Sequence, residues 1–313
     1  MVRRFQLSEG RLVETSDEKC TVLVYINPDE TERRYLVSEL RLDEHTLNSA
    51  LDPDELSRLE FEPEHVAAIF KRPKYYCAED NFLFRVASTG AFLFKDKLVM
   101  VLSEDVPLFD GAKLFVRLQS PAEIFIKVVY RSIYHFLEHL KVINMIVDQL
   151  EQKLSASMQN RYLLNLFTLE KSLVYYLNAI HSNSVLIDKL RAGSVKIGFS
   201  QDQVEFLDDM TIENSQCYKQ AEIYSNILAG LMDARASIVN NNLNVLMKQL
   251  TVISVVLGPL NIIAGIGGMS EFSMMTTGIP WPLAYGFFFV GLAMVGLLTY
   301  YIITKSIDKS PKS

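Results

Sequence analysis

Two charge-free apolar segments close together near the C-terminus constrain this chain more than any other feature. The first runs from Leu250 to Gly268, with Lys248 and Glu271 as its nearest charges; the second runs from Leu283 to Thr304. A helix needs about 20 apolar residues to cross roughly 30 Å of hydrocarbon, and both segments come close to or exceed that length. One such run fits a buried core helix. Two in tandem, with Trp281 at one boundary and Tyr300-Tyr301 at the other, fit membrane spans with interfacial aromatic residues. The linking stretch Met269 to Pro282 has no Lys or Arg and a single charge, Glu271. Lys248 precedes the first span, and Lys305, Lys309 and Lys312 follow the second. Basic flanks stay in the cytoplasm, so the link is expected outside, both termini inside, and all residues before the first span cytoplasmic, in an inner or cell membrane.

Composition fits a soluble part joined to a small membrane part: 49% of residues are hydrophobic and 22% charged. No apolar stretch follows Met1-Val2-Arg3-Arg4, so no secretory signal is expected. Cys20, Cys77 and Cys217 are widely spaced and odd in number, which argues against a disulfide framework or a zinc knuckle. A net charge of -6 lacks the basic excess of a nucleic-acid binder.

Residues 1–118 read as a mixed α/β domain. Cys20–Ile26 is an apolar, β-branched run; His65–Phe70, Asn81–Ala87, Ala91–Phe94 and Leu98–Leu102 predict further strands, and Leu36–Leu59 predicts a helix broken at Asp52-Pro53. The order of strands does not follow from this pattern. The character then changes. Ser120-Pro121-Ala122-Glu123 offers a capping serine, a first-turn proline and a glutamate placed for a capping box.

From Pro121 to Leu190 there is neither Gly nor Pro, and the polar stretch Ser155 to Asn160 predicts two long helices folded together. Gly193 and Gly198 mark the next turn. From Gln201 no proline intervenes before Pro259, so one helix is expected to run from the cytoplasm into the membrane, spanning on the order of 90 Å at ~1.5 Å per residue. The expected division is therefore α/β domain 1–118, stalk helices 119–249, first span 250–268, external loop 269–282, second span 283–304 and basic tail 305–313. A solitary helix of that length is unstable, so its apolar positions need covering, and oligomerisation supplies the cover.

Along the first span Asn244, Met247, Thr251, Ser254, Gly258, Asn261 and Gly265 follow at three- and four-residue steps, which puts small and polar residues on one stripe. Asn261 is costly facing lipid and should face a helix or water. The stripe fits close helix packing through small residues or the wall of an axial pore, and its periodicity does not choose.

The stretches Asn244 to Ile253 and Gly258-Pro259-Leu260-Asn261-Ile262-Ile263-Ala264-Gly265-Ile266-Gly267-Gly268-Met269-Ser270 resemble the CorA family of divalent-cation transport proteins, which shares a Leu-Thr-Ile start, an internal Pro, an Ile-Ala-Gly-Ile run and a terminal Tyr-Gly-Met-Asn signature. Gly230-Leu231-Met232-Asp233 resembles the family's stalk pattern. The resemblance implies a homopentamer: a cytoplasmic α/β funnel, a long stalk helix continuing as the pore-lining span, and a second span outside it. It implies contacts with lipid and with divalent cations, and no resident cofactor apart from Mg²⁺ as transported ion and regulatory ligand. By position it implies a pore lined by Asn244, Met247, Leu250, Thr251, Ser254, Gly258, Asn261 and Gly265, with Gly268, Met269, Ser270 and Glu271 at the entrance. Met247 and Leu250, repeated around an axis, would make a hydrophobic constriction that dewets. Asn261 would offer amide oxygens to an ion that keeps its water shell, as Mg²⁺ does.

The signature itself departs from the family, with Gly267 in place of Tyr and Ser270 in place of Asn. Proteins resembling ZntB zinc transporters also vary this signature. Mg²⁺, with Co²⁺ or Ni²⁺, is the leading expectation; Zn²⁺ uptake and a sensor assembly with little transport are the alternatives. Glu205, Asp209 and Glu213 recur every four residues, which weakens an isolated helix unless cations or solvent relieve the repulsion. Counted back from Asn244, Asp209 falls where the family places an acid of an intersubunit Mg²⁺ sensor, with Glu205 beside it and Glu79 or Asp80 as candidate partners. A solvated acidic face is the competing account.

His135-Phe136-Leu137-Glu138-His139 has the spacing of inverted zinc metallopeptidases, but five residues without a third ligand read better as part of a structural helix, and no enzyme is expected. No Gly-x-x-x-x-Gly-Lys segment occurs, so ATP-driven pumping is not expected. None is needed: a divalent ion moving down 100 mV gains about 4.6 kcal/mol, twice the roughly 2.3 kcal/mol per elementary charge.

Overall fold

The computed structural model describes residues 1–17, 19–76, 82–109, 114–156 and 160–308. It divides into two compact units, Met1–Met232 and Asp233–Ser313.

The first unit is built on a seven-stranded sheet of β1 (Val2–Ser8), β2 (Arg11–Glu14), β3 (Val22–Ile26), β4 (Arg58–Phe61), β5 (His65–Pro73), β6 (Val86–Phe94) and β7 (Leu98–Leu102), in the order β2-β1-β3-β7-β6-β5-β4. β3 and β7 pair in parallel, with Val24 opposite Met100; the other pairs are antiparallel. This parallel pair is covered on both sides, which is why both strands read as unbroken apolar runs. Val22, Val24, Leu98, Met100 and Leu102 join one core, whereas Leu23, Tyr25, Val99 and Val101 join another, as the two-residue repeat of a strand requires.

The second of these cores is closed by α1 (Glu30–Ser38) and α2 (Glu44–Ser49) through Leu36, Leu40, Leu42, Leu47 and Ala50. The helix expected over Leu36–Leu59 is thus replaced by two short helices and strand β4. Asp29 caps α1 in a reciprocal box with Glu32, and the helix stops by Glu39. Arg41 then takes a φ of 53°, and Asp43 caps α2 by accepting from the Thr46 N–H at 2.9 Å. Two local caps in succession override the apolar spacing.

Of the strands expected over Asn81–Ala87 and Ala91–Phe94, the second and the last two residues of the first form one strand, β6; Phe82–Arg85 are in no strand, and residue 81 lies outside the described residues. The strand continues through Ser88, Thr89 and Gly90, whose two hydroxyls are buried and satisfied: Lys71 Nζ donates to Ser88 Oγ at 3.0 Å and Arg72 Nε to Thr89 Oγ1 at 3.2 Å. Gly90 lies against Ala50, where any Cβ would collide with the alanine methyl. The strands β1, β2 and β4 were not expected. They occupy the two ends of the sheet order and carry charged, half-exposed residues, so no continuous apolar run marks them.

The first core is closed by α3 (Pro121–Ala156), α4 (Asn160–Ala192) and the start of α6 (Gln201–Gly267), with the single turn α5 (Ser194–Ile197) between α4 and α6. Ser120 Oγ accepts from the Glu123 N–H at 3.2 Å, and the Glu123 carboxylate accepts from the Gln119 N–H at 2.8 Å, one residue earlier than the usual box. Gly198 takes a φ of 83° at the end of α5, the left-handed conformation that glycine adopts without strain.

Asn183 fastens α4 to the sheet. Its amide accepts from the Lys71 N–H and donates to the Lys71 carbonyl, each at 2.8 Å, on the edge of β5 beyond the last residue paired with β4. Asn214 of α6 donates to the Ile180 carbonyl at 3.0 Å. Cys20 and Cys217 are buried free thiols; Cys77 lies outside the described residues.

The second unit holds the rest of α6, α7 (Ser270–Met275) and α8 (Trp281–Asp308). α6 continues unbroken through Pro259, whose missing N–H removes one backbone hydrogen bond without ending the helix. By length and composition α6 and α8 are the two helices of the described chain able to cross a membrane. The stretch expected as a loop contains α7, and α8 begins at Trp281. Lys305 Nζ sits 5.4 Å from the centre of the Tyr301 ring, one turn back on α8.

Candidate functional site

The C-terminal part of α6 has two faces. Val252, Val256, Leu260 and Ile263 are partly covered and Gly267 is buried. Leu260 reaches Gly296 of α8, where an added Cβ would sit 3.4 Å from the leucine methyl, and Gly267 lies under the ring of Phe288, into which any Cβ would run. At ~100° per residue this covered face is opposite the stripe of Asn244, Met247, Thr251, Ser254, Gly258, Asn261 and Gly265.

Every residue of that stripe is exposed in the single chain, with Met247 at 63%. Leu250, 61% exposed, stands at the stripe's margin. Nothing lies within 4 Å of where a Cβ would project from Gly258 or Gly265. Thr251 Oγ1 donates to the Met247 carbonyl at 2.8 Å, so its hydroxyl is satisfied within the helix. The geometry therefore presents two polar amides, Asn244 and Asn261, on one strip facing away from the α8-covered side, with the small residues Ser254, Gly258 and Gly265 around Asn261.

At the end of α6 the chain turns tightly. The Gly268 N–H donates to the carbonyls of Ala264 and Gly265, each at 3.2 Å, and the Met269 N–H to that of Ile266 at 3.1 Å. Ser270 and Glu271 open α7. The place where the related signature carries a tyrosine is thus occupied by a buried glycine beneath an aromatic ring from α8. One sequence gives no sign of this, because Phe288 is one of three consecutive phenylalanines and nothing in the run marks which one packs inward.

Glu205 and Asp209, in the first unit, are exposed on α6. The Glu205 carboxylate accepts from Gln201 Nε2 at 3.3 Å. The neighbouring Asp208 pairs with Arg191 at 2.6 Å, which separates it from the other acids. Burial, with the charges of Glu213 and Asp209, pushes the Tyr130 hydroxyl above its usual range. Among the described residues no three His, Cys, Asp or Glu side chains are gathered to hold a metal, and Glu79 and Asp80 lie outside those residues.

The His135 and His139 rings meet edge to face at 4.5 Å, and His139 Nδ1 is 2.6 Å from the Tyr176 hydroxyl. Glu138 pairs with Arg131 at 3.2 Å. Burial, helped by Arg131 and Arg72, pulls His135 down to about 4; burial and then His135 do the same to His139. His139 packs between α3 and α4 against Tyr176, and His135 packs beside Tyr75, just beyond the end of β5.

A family model described as CorA-like Mg²⁺ transporter protein matches residues 18–305. The cobalt/magnesium transport protein CorA of Methanocaldococcus jannaschii is 23% identical over 287 residues, which cover 88% of this chain and 86% of that one. The complete structure of the CorA magnesium transporter from the same organism superposes with a TM-score of 0.77 at 18% identity, over 99% of this chain and 98% of that one. The cytoplasmic domain of ZntB from Vibrio parahaemolyticus superposes with a TM-score of 0.59 at 11% identity, over 76% of this chain and 98% of its own. The sheet-containing first unit, the long α6 and the two apolar C-terminal helices together match a full-length relative, so the match is not confined to the apolar hairpin. With a family model matched across both units, this chain is a member of the CorA family.

Proposed function

We propose that the chain assembles as a homopentamer whose α6 helices surround a central path for divalent cations, Mg²⁺ first among them, moving inward along the electrochemical gradient without ATP. The observation that carries this reading is the division of α6: α8 covers one face, leaving the stripe centred on Gly258 and Asn261 for a neighbouring copy or the ion. Residues 1–118 and 119–249 would lie in the cytoplasm, 250–268 and 283–304 would span the membrane, 269–282 would face outward, and 305–313 would return to the cytoplasm.

In this arrangement a ring of Asn261 amides receives the ion with its water shell, since Mg²⁺ dehydrates reluctantly. Met247 and Leu250 narrow the path with apolar side chains that close it by dewetting. Ser254, Gly258 and Gly265 leave the path wide enough for hydrated ions. Ser270, with Gly268, Met269 and Glu271, forms the outer mouth. Asp209 and Glu205 meet acids of an adjacent subunit and bind Mg²⁺ when it is plentiful inside, holding the assembly closed.

Gly267 and Ser270 in place of the signature Tyr and Asn favour Zn²⁺ as a second reading. Uptake by the purified protein in liposomes, under an inside-negative potential and with Mg²⁺, Co²⁺, Ni²⁺ or Zn²⁺ supplied in turn, separates the two. Potential-driven Mg²⁺ uptake without dependence on a pH gradient supports the first reading. Zn²⁺ uptake that requires a proton gradient supports the second. No uptake of any ion by an intact oligomer overturns both.

A further inference from the structure

A cavity of about 410 Å³ opens where β5 runs on beyond its pairing with β4, between α4 and the segment before β4. Its walls carry three cations, Lys71, Arg85 and Lys171, and one acid, Asp54. Lys71 is 5% exposed; its ammonium donates to the Pro53 carbonyl at 2.7 Å and to Ser88 Oγ at 3.0 Å, both neutral acceptors. Burial pulls its pKa below the usual lysine value despite nearby carboxylates. None of the three cations forms an ion pair among the described residues, whereas Arg58 and Arg72 of the same sheet are each paired with a glutamate. A buried ammonium without a carboxylate partner is costly, and an anion held beside it would lower that cost.

Arg85 and Lys171 are exposed at the cavity, and Lys171 Nζ sits 5.8 Å from the centre of the Tyr175 ring. Tyr175 and Asn178 line the same space. The volume falls in the range of pockets for small organic ligands and far exceeds what a bare phosphate fills. A guanidinium and two ammonium groups suit a phosphate, and an aromatic ring with a carboxamide suits an attached ring system.

We infer that this cavity binds a small organic phosphate monoester, its phosphate between Lys71, Arg85 and Lys171 and its organic part against Tyr175 and Asn178. The site belongs to the first unit and is independent of the ion path. Binding of AMP, inorganic phosphate and adenosine to the full chain in detergent, by calorimetry at constant ionic strength with divalent cations removed, tests it. Saturable AMP binding is expected, with adenosine undetectable and phosphate at least tenfold weaker than AMP. The doubly substituted chain Arg85→Gln, Lys171→Met should bind AMP at least tenfold more weakly; both positions are exposed, so the fold is not at stake. Absence of AMP binding, or equal affinity in the substituted chain, overturns the site. Phosphate binding as tight as AMP overturns the organic part of the ligand. Ion uptake plays no part in the readout, so failure of the channel reading leaves this result standing.

Discussion

Gly267 of α6 is buried directly beneath the Phe288 ring of α8. The aromatic group that the related signature places on the first span is here supplied across the hairpin by the second. A side chain at 267 and the ring at 288 compete for one space, which gives the pair a definite coupling.

Gly267→Ala should therefore destabilise the membrane hairpin by about 1–3 kcal/mol, the usual range for overpacking a filled site. In a Phe288→Ala background the same change should cost little, and Gly267→Tyr should become tolerable. Thermal unfolding of the four proteins in detergent gives the coupling energy directly. Additive losses would show that the two positions do not share a space.

Asn183→Ala should cost about 3 kcal/mol, because it strands the N–H and carbonyl of Lys71 on an unpaired strand edge along with the Ser57 hydroxyl that donates to the same amide. Urea unfolding of the full chain checks the loss. Asn183→Asp retains the acceptors and loses the donor, and should fall between the two.

His135 and His139 are neutral when folded, with pKa values of about 4 against 6.5 when free. The unfolded chain binds more protons in this interval, so stability rises with pH across it. The contribution is complete above about pH 6.5 and is lost as the pH falls toward 4. With allowance for their partial exposure, a loss on the order of 2 kcal/mol is expected. Denaturant midpoints at several pH values, for the chain and for His135→Phe, measure it; His135→Phe should flatten the slope, and an unchanged slope would remove His135 as a cause.

Asp209→Lys should weaken closure by internal divalent cations, moving the half-inhibiting Mg²⁺ concentration upward by at least threefold. Flux measured against internal Mg²⁺ in proteoliposomes reads the shift. An unchanged inhibition curve would make Asp209 a solvated surface acid.

Much of this fold was legible in the residues because it depends on long, uniform patterns. The apolar hairpin, the continuity of α6 and the strands β3 and β7 each announce themselves over many positions. The missed strands β1, β2 and β4 mix charged with apolar residues and are half-exposed, so no apolar run marks them although β1 pairs with β2 and β4 with β5 close by in sequence. β6 runs on through Ser88 and Thr89, whose hydroxyls are buried and accept from Lys71 and Arg72 on the paired strand β5. At the site, the helical period alone set Asn244, Thr251, Gly258 and Asn261 on one line. That α8 covers the opposite face, and that Phe288 fills the space above Gly267, depend on tertiary packing that no local pattern encodes.

The central claim is that ions pass along the Asn261 face of α6. Mg²⁺ uptake into liposomes by the unaltered chain and by Asn261→Leu, each checked for intact oligomer by size-exclusion chromatography, tests it most directly. Loss of at least nine-tenths of the flux with the assembly preserved is the expected result. Undiminished flux through an intact Asn261→Leu oligomer would contradict the account, because the ion would then cross without meeting that face.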